Sequence, residues 1–334
     1  MQHAALIWLR DLVRFGSLLN LVVIFLSWLG LLNSQGLLFA LPCYFRLQYL
    51  IAQLLFLPLL AIWLIVVLRG RSKGMTVHRL RVVELFLTFS TVSLNAALCL
   101  SLYNAPTATQ SNGRPVLHCL QLNVLSNNKS YDKVANLVKK YNPDVIALQE
   151  TNETWCLELE SRLTNYPHRV LKPRSDNFGA AIFSKLPIKN GESVVYTQAG
   201  LPTIVAHIDF DGAPATVLST HPLAPSSLQN YLYQNEQLAN MADKRATWDK
   251  TVVLLGDLNT NNWADKFNRF LDKSELRDSR QGIGIQPSWP QPLPLLLIPL
   301  DHCLISPDLA VLKRRTCHPV GSDHLPVYVE LQRR

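Results

Sequence analysis

Acidic residues are almost missing from the first 104 positions. Asp11 and Glu84 are the only two, against eight Lys or Arg, so this part carries +6 of the chain's +8. The remaining 230 residues hold only +2. That near-neutral balance argues against a concentrated positive groove for duplex nucleic acid in the C-terminal part. No C-x-x-C pair occurs among the six cysteines, which excludes the usual short-spaced zinc sites. Cys43 and Cys99 sit in apolar runs and read as packing residues, whereas Cys119, Cys156, Cys303 and Cys317 could pair only in an oxidising compartment. No internal repeat and no low-complexity tract is present, so solenoids and disordered tails are excluded.

Long apolar runs fill the acid-poor region. They cover about 15–32, 47–68 and 82–103, each close to the ~20 residues that a bilayer-crossing helix needs. The second has no charge along its length, and the third holds Glu84 near its start and Asn95 deeper in. A cleaved signal peptide fits the first poorly, because no small-residue cleavage site follows it. The 69–81 connection carries five Arg or Lys and the 33–46 connection only Arg46. Positive loops stay cytoplasmic. The expected topology has the N-terminus and the 69–81 loop inside, and everything after Tyr103 outside the cytoplasm. Residues 105–115, rich in Pro, Ser, Thr, Asn and Gly, read as a flexible tether.

From residue 116 the pattern changes to short β runs and amphipathic helices. Strands are expected at 116–125, 144–150, 178–185, 202–210, 215–221, 251–255 and 299–306, and 321–331 closes the domain. Asp211-Gly212 turns a hairpin. Helices are expected at 131–142, 228–245 and 266–274, with a Pro-rich loop over 286–299. Over 116–334 this order predicts one α/β sandwich. Polar groups collect at strand ends: Asn123, Glu150, His221, Asp257, Asn259, Asp301 and Ser322–His324. In GDLNT (256–260), alternation puts Asp257 and Asn259 on one side of the chain, although an Asx turn after a strand explains the pair equally well.

Five stretches, LQLNVL (120–125), IALQE (146–150), GDLNT (256–260), LDHCLIS (300–306) and GSDHLPV (321–327), resemble the endonuclease/exonuclease/phosphatase superfamily in order and spacing. That superfamily includes deoxyribonuclease I, exonuclease III-like nucleases, neutral sphingomyelinases and inositol polyphosphate 5-phosphatases. STHP (219–222) and FGAAIFSK (178–185) resemble its intermediate motifs. The resemblance implies a four-layer, deoxyribonuclease I-like α/β sandwich behind three transmembrane helices, like the multi-pass bacterial members of the inner membrane. It implies a hydrolase of phosphoric esters using Mg²⁺ or Mn²⁺, acting on nucleic acid, a phospholipid head group or a small phosphoester.

A phosphodiester repels nucleophiles, so such catalysis needs a cation on the phosphoryl oxygens and an aimed water. Glu150 is a hard oxygen ligand suited to the ion, and the resemblance adds Asn123 and Asp323 beside it. Asp257 and Asn259 are expected to align or deprotonate the water. His324, whose side chain diverges from that of Asp323, needs a separate carboxylate, and Asp301 is the candidate. His221 is expected at a phosphate oxygen or the leaving group, and Asn177 at the phosphate. His302 points away by alternation, and Trp289 lies near the substrate face, with packing as its first role. The competing class is a membrane protein whose phosphoesterase-like domain binds a partner without catalysis.

Overall fold

The computed structural model describes residues 2–69, 75–104 and 111–334. The chain divides into two units, Met1–Ser101 and Leu102–Arg334.

The first unit is helical. Helix α1 (Gln2–Leu29) is followed by short 3-10 turns flanking α2 (Leu37–Ala40), then by α3 (Arg46–Arg69) and α4 (Met75–Leu100). Three stretches, Arg14–Gln35, Leu37–Ile62 and Arg79–Leu100, are long and apolar enough to cross a membrane. Their polarity is inverted relative to a water-soluble bundle. Leu18, Leu55 and Phe86 face outward and are exposed, while Asn20, Arg46, Glu84 and Asn95 are buried. The buried groups bond one another and the backbone: Arg46 Nη1 donates to the Ser27 carbonyl at 2.6 Å, and Asn95 Nδ2 donates to Ser27 Oγ at 3.0 Å. Asn20 Nδ2 donates to Thr88 Oγ1 at 2.8 Å, and Arg81 pairs with Glu84. Hydrocarbon offers no hydrogen bonds, so polar side chains of spanning helices turn inward and pair. Residues 70–74 of the basic 69–81 connection, with Arg71 and Lys73, lie outside the described residues.

The second unit holds β1 (Val116–Asn123), α5 (Tyr131–Tyr141), β2 (Val145–Gln149), α6 (Glu153–Arg162), β3 (His168–Lys172), β4 (Ala180–Ser184), β5 (Ile188–Val195), β6 (Pro202–Phe210) and β7 (Ala213–Thr220). It continues through α7 (Leu228–Asp243), β8 (Thr251–Asp257), α8 (Asp265–Ser274), β9 (Arg277–Asp278), β10 (Asp301–Ile305), β11 (Leu309–Thr316) and β12 (Val327–Arg333). Two six-stranded sheets run in the orders β11-β12-β1-β2-β4-β3 and β5-β6-β7-β8-β10-β9. Each contains one parallel pair joined by a helix: β1 with β2 through α5, and β7 with β8 through α7.

Alternation explains the layering. In β1, Leu120 and Leu122 face α5 and α6, packing with Val134, Trp155 and Leu159. Leu117 and Cys119 face the other way, into an apolar layer shared with Val217, Val253, Leu255 and Cys303 of the second sheet. Helix α7 lies on the far side, where Gln237 Nε2 donates to Thr220 Oγ1 of β7 at 3.1 Å. The result is the four-layer sandwich of helices, sheet, sheet and helices. All six cysteines are buried, and Cys119, Cys156, Cys303 and Cys317 form no disulfide.

Two boundaries differ from the sequence expectation. The third apolar helix stops at Leu100 rather than Tyr103, because Leu102 turns away and its carbonyl accepts from the Gly282 N–H at 2.8 Å. Residues 111–115 of the expected tether are tied to the last strand: Asn112 N–H donates to Gln332 Oε1 and Asn112 Nδ2 to the Arg333 carbonyl, both at 3.0 Å. Residues 105–110 lie outside the described residues.

Candidate active site

The inward positions of β1, β2, β7, β8 and β10 all carry odd numbers. Followed toward the site, they turn from apolar to polar: Gln121 and Asn123 on β1, Gln149 on β2, Ser219 on β7, Asp257 on β8 and Asp301 on β10. His221, one residue beyond β7, keeps the same parity. Polar side chains therefore replace the intersheet core at one end of the sandwich, at the carboxyl ends of the parallel strands, where such folds bind ligands. All seven residues are buried.

Asp257 is the hub. Its Oδ2 lies 3.2 Å from Asn123 Nδ2, 3.4 Å from His221 Nε2 and 3.5 Å from His324 Nε2. Asp301, its register partner across β8 and β10, takes the other ring nitrogen: His324 Nδ1 meets Asp301 Oδ2 at 2.8 Å. Gln121 Nε2 donates to Asp301 Oδ1 at 2.7 Å and to Gln149 Oε1 at 2.8 Å, and Gln149 Nε2 donates to Ser219 Oγ at 2.9 Å.

Glu150 and Asn259 reach the site by leaving the strand geometry. Both have left-handed backbones, with φ 61° and 50°. The expected strand-like alternation from Asp257 to Asn259 does not hold, because β8 ends at Asp257. Instead Asn259 N–H donates to Asp257 Oδ1 at 2.9 Å, so the Asx turn is present and still delivers both groups. Asn259 Nδ2 lies 3.1 Å from His221 Nε2 and donates to the Pro222 carbonyl at 3.0 Å. Asn123 Nδ2 donates to Glu150 Oε1 at 2.8 Å. Gly256 is required here: a Cβ on it would lie 2.1 Å from the Thr220 carbonyl oxygen.

Asp323 and Asn177 stand further out. Asp323 Oδ2 accepts from Trp289 Nε1 at 2.9 Å, and its Oδ1 is buried without a partner. Asn177, in a left-handed turn at φ 67°, is exposed at the mouth and bonds Ser126 Oγ. His302 points the opposite way. Its Nε2 donates to the Thr260 carbonyl at 2.9 Å and its Nδ1 accepts from Arg280 Nη2 at 2.9 Å.

The chain's residues 120–324 match the family model of the endonuclease/exonuclease/phosphatase family. The chain belongs to the endonuclease/exonuclease/phosphatase family. Among solved structures, TDP2 from D. rerio complexed with single strand DNA product is similar at 16% identity, with 65% of this chain and 99% of that one covered and a TM-score of 0.54. Family members from Bacteroides vulgatus (13% identity, 66% and 100% covered, TM-score 0.56) and Beutenbergia cavernae DSM 12333 (18%, 66% and 72%, 0.52) share the fold. No curated protein matches the chain. Family and fold together support a phosphoesterase-type function.

Charges in this family member's site are mutually stabilised. Burial pushes His324 down, but the Asp301 and Asp257 carboxylates outweigh it and raise its pKa to about 10. His221 is likewise lowered by burial and raised in balance by Asp257. Burial pushes the Asp257 carboxyl up, while His324 and His221 bring it well below the usual carboxylate range. His302 is the contrast: burial and the Arg280 guanidinium push it down to about 3, so it is a neutral structural imidazole.

Two places offer ligand atoms for a cation. Asp257, Asp301 and His324 each bring one within 4.8 Å of the others. Both Asp301 oxygens, however, are already taken by His324 and Gln121, so that group is a proton-holding pair rather than an open ligand set. The Glu150 side fits better. Its Glu150 carboxylate is oriented by Asn123 Nδ2, and the unpartnered Asp323 Oδ1 is a second hard oxygen in the Ser322–His324 turn, whose Ser322 Oγ donates to the Asn123 carbonyl at 2.7 Å.

Gln121, Gln149 and Ser219 were not among the site residues expected from sequence. The signal was there: LQLN and ALQE place a glutamine on the inward parity of an otherwise apolar strand.

Proposed function

We propose that the chain is a membrane-anchored, divalent-metal-dependent phosphoesterase whose catalytic unit lies outside the cytoplasm. The observation that carries the reading is the meeting of Asp257, His221, His324 and Asp301 at one end of the sandwich, within a family fold. A Mg²⁺ or Mn²⁺ ion held by Glu150, with Asn123 and Asp323 beside it, would supply positive charge to the phosphoryl oxygens.

The chain's own groups do the rest. Asp257 and Asn259 aim the attacking water, with Asp257 positioned by Asn123. His324 donates from Nε2 to a phosphoryl oxygen, its Nδ1–H held by Asp301. His221, fixed beside Asp257 and Asn259, donates to a second oxygen or to the leaving group. Asn177 binds the phosphate from the rim. Three apolar helices and the basic 69–81 connection support anchoring with the N-terminus in the cytoplasm of a bacterial inner membrane. The DNA product bound by the D. rerio relative supports nucleic acid as a substrate class, whereas the near-neutral catalytic unit favours a ligand with fewer phosphates.

The test is turnover of a phosphodiester panel by the full chain in detergent, with Mg²⁺, with EDTA, and as Asp257→Ala and His324→Ala. Turnover should require the metal and both side chains. Equal rates in all four conditions would end the proposal.

A further inference from the structure

Between Gln281 and Leu300 no residue is charged. The middle of this segment leaves the fold as a closed loop. Ser288 and Trp289 N–H both donate to the Ile298 carbonyl, at 3.0 and 3.1 Å, and make a neck. Beyond the neck, Leu293, Leu295 and Leu296 are 54%, 87% and 45% exposed. The tip is ordered by its own turns, Leu293 N–H to the Pro290 carbonyl and Leu296 N–H to the Leu293 carbonyl. Elsewhere among the described residues of the catalytic unit beyond Tyr103, exposed large apolar side chains stand alone or as the pair Leu228 and Leu232. Three large apolar groups within four residues, in a segment that carries no charge of its own, form a surface that water does not favour.

The loop is rooted in the active site. Trp289 Nε1 donates to Asp323 Oδ2, Gln291 N–H to the Asp323 carbonyl at 2.7 Å, and Leu325 N–H to the Ser288 carbonyl at 2.8 Å. Asp301 N–H donates to Ser288 Oγ at 3.2 Å. The start of the same segment also contacts Leu102 and Tyr103, the first residues of the second unit. Gly282 N–H donates to the Leu102 carbonyl, and the Tyr103 ring fills the space where a Gly284 Cβ would be, 2.3 Å from its Cε1. Tyr103 is 51% exposed and lies three residues beyond the end of the third apolar helix. Five residue steps, at most about 18 Å of chain, lead from Gly284 to Trp289.

Resting on the phosphoesterase reading above, we propose that the 290–297 loop inserts Leu293, Leu295 and Leu296 into the leaflet from which the third span emerges. The catalytic mouth is then held over lipid head groups, and the substrate is a lipid-borne phosphoester. An uncharged leucine tip offers nothing to a nucleic-acid backbone, whose binding runs on cationic contacts. It matches an acyl-chain boundary, with Trp289 at head-group depth.

The full chain in nanodiscs, labelled with an environment-sensitive fluorophore at Leu295→Cys or, as control, at Leu157→Cys, tests insertion. Nitroxides on the lipid chains should quench the label at 295 at least threefold more than at 157. Equal or weaker quenching at 295 overturns insertion. A second arm compares a nitrophenyl phosphodiester carried on a lipid with soluble bis(nitrophenyl) phosphate. The triple variant L293S/L295S/L296S should lower the ratio of lipid-borne to soluble turnover at least tenfold, and an unchanged ratio overturns the substrate class. So does a single-stranded oligonucleotide turned over faster than the lipid ester. If the wild type cleaves none of these, the phosphoesterase reading fails while the quenching result still decides insertion.

Discussion

Replacing Asp301 with asparagine changes one oxygen to an amide and almost nothing in volume. Both Asp301 oxygens face donors, Gln121 Nε2 at 2.7 Å and His324 Nδ1 at 2.8 Å, in a site that is 1% exposed at Asp301. Asparagine has one acceptor, so its NH₂ must confront either the glutamine amide or the imidazole N–H. Turned toward His324, it forces Nδ1 to lose its proton and removes the carboxylate that stabilises the charged ring. The analogous change in a His–Asp pair of a serine protease costs about 10⁴-fold in kcat. Here Asp257 still faces Nε2 at 3.5 Å and keeps part of the charge balance. We expect a fall of about 10²–10⁴-fold in kcat, or roughly 2.7–5.5 kcal/mol of barrier. The mismatched buried donor should also cost about 1–3 kcal/mol of stability, a Tm loss of several degrees for a unit of this size. The assay is steady-state hydrolysis of bis(nitrophenyl) phosphate by the full chain in detergent, with a thermal melt and Mn²⁺ titration calorimetry alongside. Mn²⁺ affinity should hold, because Asp301 is assigned to the proton and not to the ion. D301N retaining kcat within about threefold, or losing Mn²⁺ binding with its activity, would refute the pairing argument.

Glu150→Gln should weaken Mn²⁺ at least about tenfold, or roughly 1.4 kcal/mol by calorimetry; unchanged binding would remove Glu150 from the ligand set. Gly256→Ala should lower stability by about 1–3 kcal/mol, since its methyl meets the Thr220 carbonyl oxygen at 2.1 Å, and a wild-type melting curve would contradict that packing. His302, at about 3 in the fold against 6.5 unfolded, leaves the folded chain with fewer bound protons between those values. Stability is then full above pH 6.5 and falls on acidification by up to about 1.4 kcal/mol per pH unit, a slope in urea midpoints that His302→Gln should flatten. A phosphatase-type reporter fused after Tyr103 should be active only outside the cytoplasm, and cytoplasmic activity reverses the orientation.

The interior of the sandwich was legible from the residues alone. Strands such as TVVLL and DVIALQ are buried on both faces and read as continuous apolar runs. The four sheet edges were not. β3, β5, β9 and β11 carry HRVLK, IKNGESVV, RD and LAVLKRRT, whose charges and turn formers keep an edge from pairing with other chains and also erase the pattern that marks a strand. The polar groups at strand ends could likewise be listed along the chain, because catalytic motifs are short and local.

What joined them was decided in three dimensions. Sequence determines that Asp257, Asp301 and Asn123 share an inward parity; only sheet register sets Asp301 beside Asp257, so that one imidazole spans both. Glu150 and Asn259 enter through left-handed backbones that no alternation rule foresees. The leucines at 293–296 read as ordinary apolar residues until the Ser288–Ile298 neck turned them outward. Local propensity is written in neighbouring residues, whereas register within a sheet and exposure at a loop tip depend on segments separated along the chain, such as Asp257 with Asp301 and Ser288 with Ile298, closing on one another.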